Sequence, residues 1–565
     1  MKPILIHNDN TYLLKSFQDN EWHIEKFLPS LQSDIDIQLD SFVKNKIATK
    51  EISALFIKVT LSSNYLELLG LRLGLHIRLS YKHSHLQKLP VVFLCEESLE
   101  ELCKIYNYPE ILFRQGVYVT SEELFNVQSY FDLLSKCKLL GSDSIDSLIN
   151  RLNILPPANY LSYHSIANEW GILRWAKVLG IPEDNSLLKE VMNNTDGLLY
   201  YKLLQSKYPI ESEPNKASFK IQGEGKILYI DDEWNKGWNV VFTNFISISP
   251  NLKIDFEVFE YDFKDKTADL IIKECENKIA DSDPAIVILD LRLADSDFET
   301  NKETSHLTGF KVLKIIKKMN PGIRVIIFTA SNKVWNLIEL QTEGADGFVL
   351  KESPELGVIK NYTKTSVEKF ALLIEEQLKY KFQKGLFIKC KEIKQFLLQT
   401  INDENEDYNK LIITLVKQID NIYSSICLIN LKKQVTLDIV FLSCYNFLEL
   451  FKNYYLMYRK DYRYCLGFED IDLIRYNIVN GKVQNMGPFI ANGKFDSPSW
   501  FVIQAALFID YFKVSVSPDF SEVVHLKRIS DKRNEYIHSK KNSFDPAEIK
   551  LIIEALSNAC KQIKE

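Results

Sequence analysis

The sequence predicts a multidomain chain in which α/β units with parallel sheets fill the first two thirds and an all-α helical bundle fills the last. Three observations predict it. A length of 565 residues exceeds what one core can organise and points to about three to five domains. Between residues 225 and 355, short apolar runs alternate with helical patterns, the signature of βα units on a parallel sheet. From residue 363 onward the strand signals fade into long helical patterns such as VEKFALLIEEQLKYKF and VTLDIVFLSCYNFLELFKNYYLMYRK.

Charged residues make up 25% and hydrophobic residues 46%, the balance of an ordinary globular protein. A formal net charge of -6 excludes a protein that coats nucleic acid over its whole surface. Any such contact must come from a local patch, and Lys527, Arg528, Lys532, Arg533, Lys540 and Lys541 supply one. The nine cysteines form no CxxC pair, so neither a zinc site nor a disulfide framework is suggested. The start MKPILIHNDN has no signal-peptide pattern, and the most apolar window, WFVIQAALFIDYF, is too short to span a bilayer. A cytoplasmic protein without a membrane partner is expected.

The clearer α/β unit runs KILYIDDE, FEVFEY, AIVILDLRL, GFKVLKIIKK, RVIIFTAS and GFVLKES. In a parallel sheet, chemistry belongs at the carboxyl ends of the strands. Asp231 and Asp232 follow the first strand, Asp290 ends AIVIL, Thr329 ends RVIIF and Lys351 ends GFVL. Three carboxylates at one sheet edge raise each other's pKa unless a hard divalent cation such as Mg²⁺ sits among them. A hydroxyl and an ammonium beside them suit a transferred phosphoryl group.

This segment resembles the receiver domain of two-component response regulators. The resemblance implies a flavodoxin-like fold, Asp290 as phosphoacceptor, Asp231 and Asp232 with Asp290 as Mg²⁺ ligands, Thr329 as the switch hydroxyl, Phe348 as the aromatic switch and Lys351 as the phosphate contact. It also implies a histidine kinase or other phosphodonor as partner. Two departures stand out: the loop LRLADSDFETNKETSHLT after Asp290 is long, and Glu352 stands where proline commonly follows the lysine.

The N-terminal stretch repeats the layout with its chemistry removed. ILIHNDN, ALFIKVTL, PVVFLCEES and GVYVTSE parallel the four matching strands. Asn8 and Asp9 replace the acid pair, no aspartate ends the third strand, Cys95 replaces the threonine and Thr120 the lysine. Residues 1–130 therefore resemble a degenerate pseudo-receiver, suited to interaction rather than phosphoryl transfer. Residues 131–220 read as a helical connector, 221–360 as the receiver and 361–565 as the helical output. His164, with no carboxylate at motif spacing, reads as a structural residue.

The output carries RNEYIH within SEVVHLKRISDKRNEYIHSKK, which has no proline or glycine and reads as one helix. Val523, Leu526, Ile529 and Arg533 follow one apolar stripe, while Asn534 and His538, four apart, are neighbours on the next. The constellation resembles the HEPN ribonuclease family, whose implied chemistry is metal-independent RNA cleavage across a homodimer. There His538 would move protons, Arg533 would grip phosphate and Asn534 would orient the imidazole. The looser pattern recurs at Arg78 and His83, so arginine and histidine spacing alone is a weak signal. Together these readings give a phosphorylation-controlled RNA-cleaving response regulator, suited by analogy to stress or phage defence. The alternative is a non-catalytic signalling adaptor whose receiver gates a helical docking surface.

Overall fold

Two runs of β-branched and aliphatic residues build two copies of one sheet. The computed structural model describes the chain except for residues 1, 9–13, 15–16, 19–20, 32, 123–126, 137–138, 140, 157–162, 183–184, 187, 210–220, 300–301, 331–333, 355, 357–358, 360, 402–405, 460, 462, 468–470, 493–495, 514–520, 540–543, 562 and 564–565. Asp9, Lys540 and Lys541 lie outside the described residues, as does the side chain of His164.

In the first unit, strands β1 (Lys2–His7), β2 (His23–Lys26), β3 (Ile52–Lys58), β4 (Val91–Leu94) and β5 (Val117–Thr120) pair in the order β2-β1-β3-β4-β5, all parallel. Helices α1 (Ile35–Phe42), α2 (Leu69–Arg78), α3 (Ser84–Gln87) and α4 (Leu99–Ile105) cross between or follow these strands. Next come α5 (Val127–Lys136), α6 (Ser142–Arg151), α7 (Tyr163–Leu179), α8 (Lys189–Gly197) and α9 (Leu199–Lys207). The second sheet contains β6 (Gly223–Ile230), β7 (Leu252–Val258), β8 (Ile286–Leu289), β9 (Arg324–Thr329) and β10 (Gly347–Leu350). Its order, β7-β6-β8-β9-β10, is that of the first sheet, again all parallel. The order reverses beside the first strand of each unit, which opens a crevice at the carboxyl ends.

Alternation along β6 sends Leu228 and Ile230 to one face and Ile227 and Tyr229 to the other. The first face is covered by α11 (Ala268–Ser282), α12 (Thr308–Met319) and α13 (Val334–Thr342). The second is covered by α10 (Trp238–Ser247) and α14 (Tyr362–Lys379). Helix α7 joins this second core with Trp170, Leu173 and Trp175, all buried. Helix α9 divides its apolar residues: Leu199 and Leu203 enter the first unit's core, Tyr201 and Leu204 the second's. The connecting helices are thus packed into both units.

The long loop after Asp290 folds onto the domain around one buried acid. Asp297 accepts hydrogen bonds from the backbone of Leu293, Ala294 and Thr308, and Lys302 Nζ lies 3.0 Å from its Oδ1. It therefore satisfies the first amide of α12 and ties two loop amides to it.

The last third is rich in helix: α15 (Phe382–Gln399), α16 (Glu406–Cys427), α17 (Val435–Tyr455), α18 (Trp500–Ala506), α19 (Ser521–Ser539) and α20 (Pro546–Lys561) share one core. The expectation of an all-helical domain is corrected by five strands among the described residues. These are β11 (Leu456–Tyr458), β12 (Tyr464–Leu466), β13 (Ile471–Asp472), β14 (Ile474–Val479) and β15 (Lys482–Pro488). For β14 and β15 the reason is local: Asn480 and Gly481 both take positive φ, 53° and 74°, as a two-residue hairpin turn requires, and the flanking residues favour strand. No helix among the described residues is long and apolar enough to cross a membrane.

Candidate functional site

The carboxyl ends of the second sheet bring the expected residues together. Asp231, Asp290, Thr329 and Lys351 are all buried there. Lys351 Nζ lies 2.9 Å from Asp231 Oδ2 and 3.1 Å from Asp290 Oδ2. Tyr229 Oη donates to Asp231 Oδ2 at 2.7 Å, and the amide of Glu233 donates to Asp231 Oδ1 at 2.8 Å. The amide of Leu291 donates to Asp290 Oδ1 at 2.7 Å. The amide of Lys351 donates to the carbonyl of Thr329, which ties β10 to the hydroxyl-bearing end of β9. Phe348, in β10, is half-buried and packs against the core beneath α12.

Burial and charge explain the electrostatics. Lys351 is held well above its ordinary pKa: burial opposes its charge, but Asp231, Asp290 and Asp232 more than offset that. Asp232 is pushed up to about 9, first by burial and then by Asp231 and Asp290. One ammonium cannot satisfy three carboxylates. Asp231, Asp232 and Asp290 each offer an oxygen within 4.8 Å of the others, and Asp232 Oδ1 is buried without a hydrogen-bond partner. An all-oxygen set with an unsatisfied buried acceptor fits a hard divalent cation such as Mg²⁺.

Sequence spacing did not disclose what surrounds this pocket. Glu352 is buried, and Arg174 Nε of α7 lies 2.6 Å from its Oε1. The same Nε donates to Thr363 Oγ1 at 2.9 Å, and Nη1 donates to the carbonyl of Tyr208 at 2.7 Å. Asn168 donates to Glu233 and accepts from Trp238 Nε1 at 3.1 Å. The departure from proline at Glu352 was the signal: a carboxylate beside a buried strand end needs a cation.

The first unit lacks this chemistry for a visible reason. A Cβ on Gly70 would lie 2.2 Å from the carbonyl oxygen of Lys58, as one on Gly309 would lie 2.1 Å from that of Asp290. Lys58 therefore holds the place of Asp290, and its Nζ lies 3.3 Å from Glu122 Oε2. Cys95 donates its thiol to Glu97 at 2.7 Å, and burial pushes that thiol up to about 12.

In the C-terminal domain, Val523, Leu526 and Ile529 of α19 are buried, as the apolar stripe predicts. Arg533 is half-buried with its guanidinium over the Tyr445 ring at 5.1 Å, while Asn534 and His538 are exposed. Arg533 Nη1 donates to Asn534 Oδ1 at 3.2 Å. Lys532 Nζ lies 2.8 Å from Glu548, Arg528 3.5 Å from the same carboxylate and Lys527 2.6 Å from Asp531. Much of the basic patch is therefore internally paired. Arg78, of the looser pattern, is buried and donates to the carbonyls of Gln87 and Leu89, a structural task.

The C-terminal domain meets the receiver-like sheet at the strands' amino ends, opposite the acids. Lys384 Nζ donates to the carbonyl of Asp283 at 2.6 Å, Asn320 Nδ2 to that of Lys384 at 3.1 Å, and Arg324 stacks over Tyr380. Helix α14 joins the two ends, with Thr363 in its first turn and Gln377, which accepts from Arg324 Nε at 2.8 Å, near its last.

Several solved structures are similar to part of the chain. The signal receiver domain of the response regulator NarL from Mycobacterium tuberculosis is 18% identical over 27% of this chain and 98% of its own, with a TM-score of 0.19. That of a Luxo repressor protein from Vibrio parahaemolyticus is 21% identical over 27% and 95%, at 0.17. The receiver domain of NtrX from Brucella abortus is 20% identical over 25% and 98%, at 0.15. No curated protein matches the chain. Residues 8–120 match the family model of the inactive receiver domain, the stretch in which Lys58 stands in the place that Asp290 holds in the second unit.

Proposed function

We propose that this chain is a phosphorylation-responsive signalling protein in which Asp290 accepts a phosphoryl group and the C-terminal domain is the output. The observation that carries the reading is Lys351, buried and bridging Asp231 and Asp290. Asp231, Asp232 and Asp290 would hold Mg²⁺, which when bound supplies charge neutralisation for the transferred group. Lys351 then turns from Asp290 to the incoming phosphoryl oxygens, and Thr329 closes on them by its hydroxyl. The partner is a kinase or a small acyl-phosphate donor. Incubation with acetyl phosphate and Mg²⁺, read on phosphate-affinity gels, tests this: wild type gains a label and Asp290→Asn gains none. Equal labelling of both overturns the assignment.

For the output, the finer reading is RNA cleavage by Arg533, Asn534 and His538 across a homodimer. It is supported by one long helix carrying all three and by exposure of Asn534 and His538. The pairing of Lys527, Arg528 and Lys532 with acids favours the alternative, a docking adaptor that cuts no RNA. Single-stranded RNA incubated with wild type, Arg533→Ala and His538→Ala separates them. Cleavage lost in both variants supports the nuclease; cleavage absent or unchanged throughout leaves the adaptor.

A further inference from the structure

Helix α7 lies ahead of the receiver-like segment in the chain, yet it touches both walls of the acid pocket. On the first wall, Asn168 donates to Glu233, whose own amide donates to Asp231 Oδ1. On the second, Arg174 Nε lies 2.6 Å from Glu352 Oε1, and Glu352 follows Lys351 directly. Between them Gly171 sets the approach: a Cβ there would lie 2.9 Å from Trp238 and 3.3 Å from the amide nitrogen of Glu352. Asn168, Gly171 and Arg174 are spaced by three, one face of a helix. Trp170 and Trp175, both fully buried, anchor that helix in the same core as β6 and β9.

The peptide joining Lys351 to Glu352 is thus held from two sides. Lys351 reaches into the acids, and Glu352 reaches to a guanidinium that is itself fixed by Thr363 and the carbonyl of Tyr208. A guanidinium held by two hydrogen bonds has little freedom to follow a moving carboxylate that it meets as an ion pair. We propose that Arg174 is a positioning residue for phosphoryl transfer: through Glu352 it sets where Lys351 Nζ stands relative to Asp290, so that α7 completes the acceptor site. The inference rests on Asp290 being the acceptor, and it adds that a segment outside the receiver-like unit fixes its rate.

The test uses the full-length protein with acetyl phosphate over a range of Mg²⁺ concentrations. Arg174→Met and Glu352→Gln are each expected to lower the labelling rate at saturating Mg²⁺ by about ten- to a hundredfold, the upper figure being the scale of a catalytic group misplaced by about 1 Å. Half-saturation by Mg²⁺ should stay at the wild-type value, because Asp231, Asp232 and Asp290 are untouched. A general loosening of the domain would move both together. The double variant, Arg174→Met with Glu352→Gln, should label no more slowly than the slower single variant. It also removes both buried charges, so it gives the same readout if Arg174→Met alone does not fold. Wild type labelled on Asp290 with the variants labelled equally fast overturns the positioning role alone. Wild type that takes no more label than Asp290→Asn overturns the acceptor reading and this inference with it.

Discussion

Gly309 opens α12 so close to Asp290 that a Cβ at this glycine would lie 2.1 Å from the aspartate's carbonyl oxygen. The amide of Gly309 also donates to the carbonyl of Leu291 at 3.0 Å, which pins the helix to the loop after Asp290. Neither backbone can yield cheaply. Gly309→Ala should destabilise the domain by about 1–3 kcal/mol, as overpacking does, and should lower phosphoryl uptake by turning Asp290 away from Lys351. Urea unfolding alongside acetyl phosphate labelling checks both; a wild-type midpoint with wild-type labelling would show that the close approach constrains neither the fold nor Asp290.

The first unit repeats that close approach at Gly70 and Lys58, which explains why restoring one residue there should restore nothing. Lys58→Asp supplies a carboxylate but no lysine partner, and it sets a negative charge near Glu122. In an Asp290→Asn background, Lys58→Asp should take up no label. A label on residue 58 would show that this unit retains an acceptor pocket.

Asp232 makes the domain sensitive to pH in a definite direction. Its pKa rises from the ordinary 3.8 to about 9, by burial first and then by Asp231 and Asp290. Between those values the folded, metal-free protein holds a proton that the unfolded chain has released. Stability from this group is therefore full below 3.8 and is lost as pH rises towards about 9. Asp232→Asn should flatten that decline in thermal melts run without metal. Mg²⁺ needs the carboxylate, so its binding should release a proton and tighten as pH rises across the same window. Calorimetric titration in two buffers of different ionisation enthalpy reads the proton; identical heats would argue against it.

The acid pocket was legible because each of Asp231, Asp290, Thr329 and Lys351 ends an apolar run, and a parallel sheet gathers such ends at one edge. The pseudo-receiver was legible by the same rule, strand for strand. Arg174 was not: its partners Glu352, Thr363 and Tyr208 come from distant parts of the chain, and no local spacing encodes their meeting. The hairpin from Ile474 to Pro488 was legible in principle. Asn480 and Gly481 mark its turn, but the long helical patterns on either side outweighed a signal only two residues wide.

Gly481 permits a direct check of that hairpin. With φ of 74° it stands in the left-handed region, and nothing lies within 4 Å of the place a Cβ would take. The cost of Gly481→Ala is then backbone strain alone, about 1 kcal/mol. Hydrogen exchange of the β14 and β15 amides should quicken while that of α19 stays unchanged. Equal protection in wild type and Gly481→Ala would argue that the turn does not hold the strands.

Glu548 decides whether the basic face of α19 can serve nucleic acid. It is buried at the start of α20, where it accepts from the amide of Asp545 at 3.0 Å and its own amide donates to Asp545 Oδ1 at 2.8 Å, a reciprocal cap. The same carboxylate holds Lys532 at 2.8 Å and Arg528 at 3.5 Å. Two cations committed to one buried acid have little charge left for phosphate. Glu548→Gln keeps the shape, removes the charge and should cost about 1–3 kcal/mol through the weakened cap and ion pairs. It should also free Lys532 and Arg528, so that RNA binding strengthens and its dependence on salt steepens by about one to two ions released. Fluorescence anisotropy with a short single strand at several salt concentrations measures that slope. A slope unchanged from wild type would mean that this face meets no phosphate backbone, and the output would then be read as a surface for protein rather than for RNA.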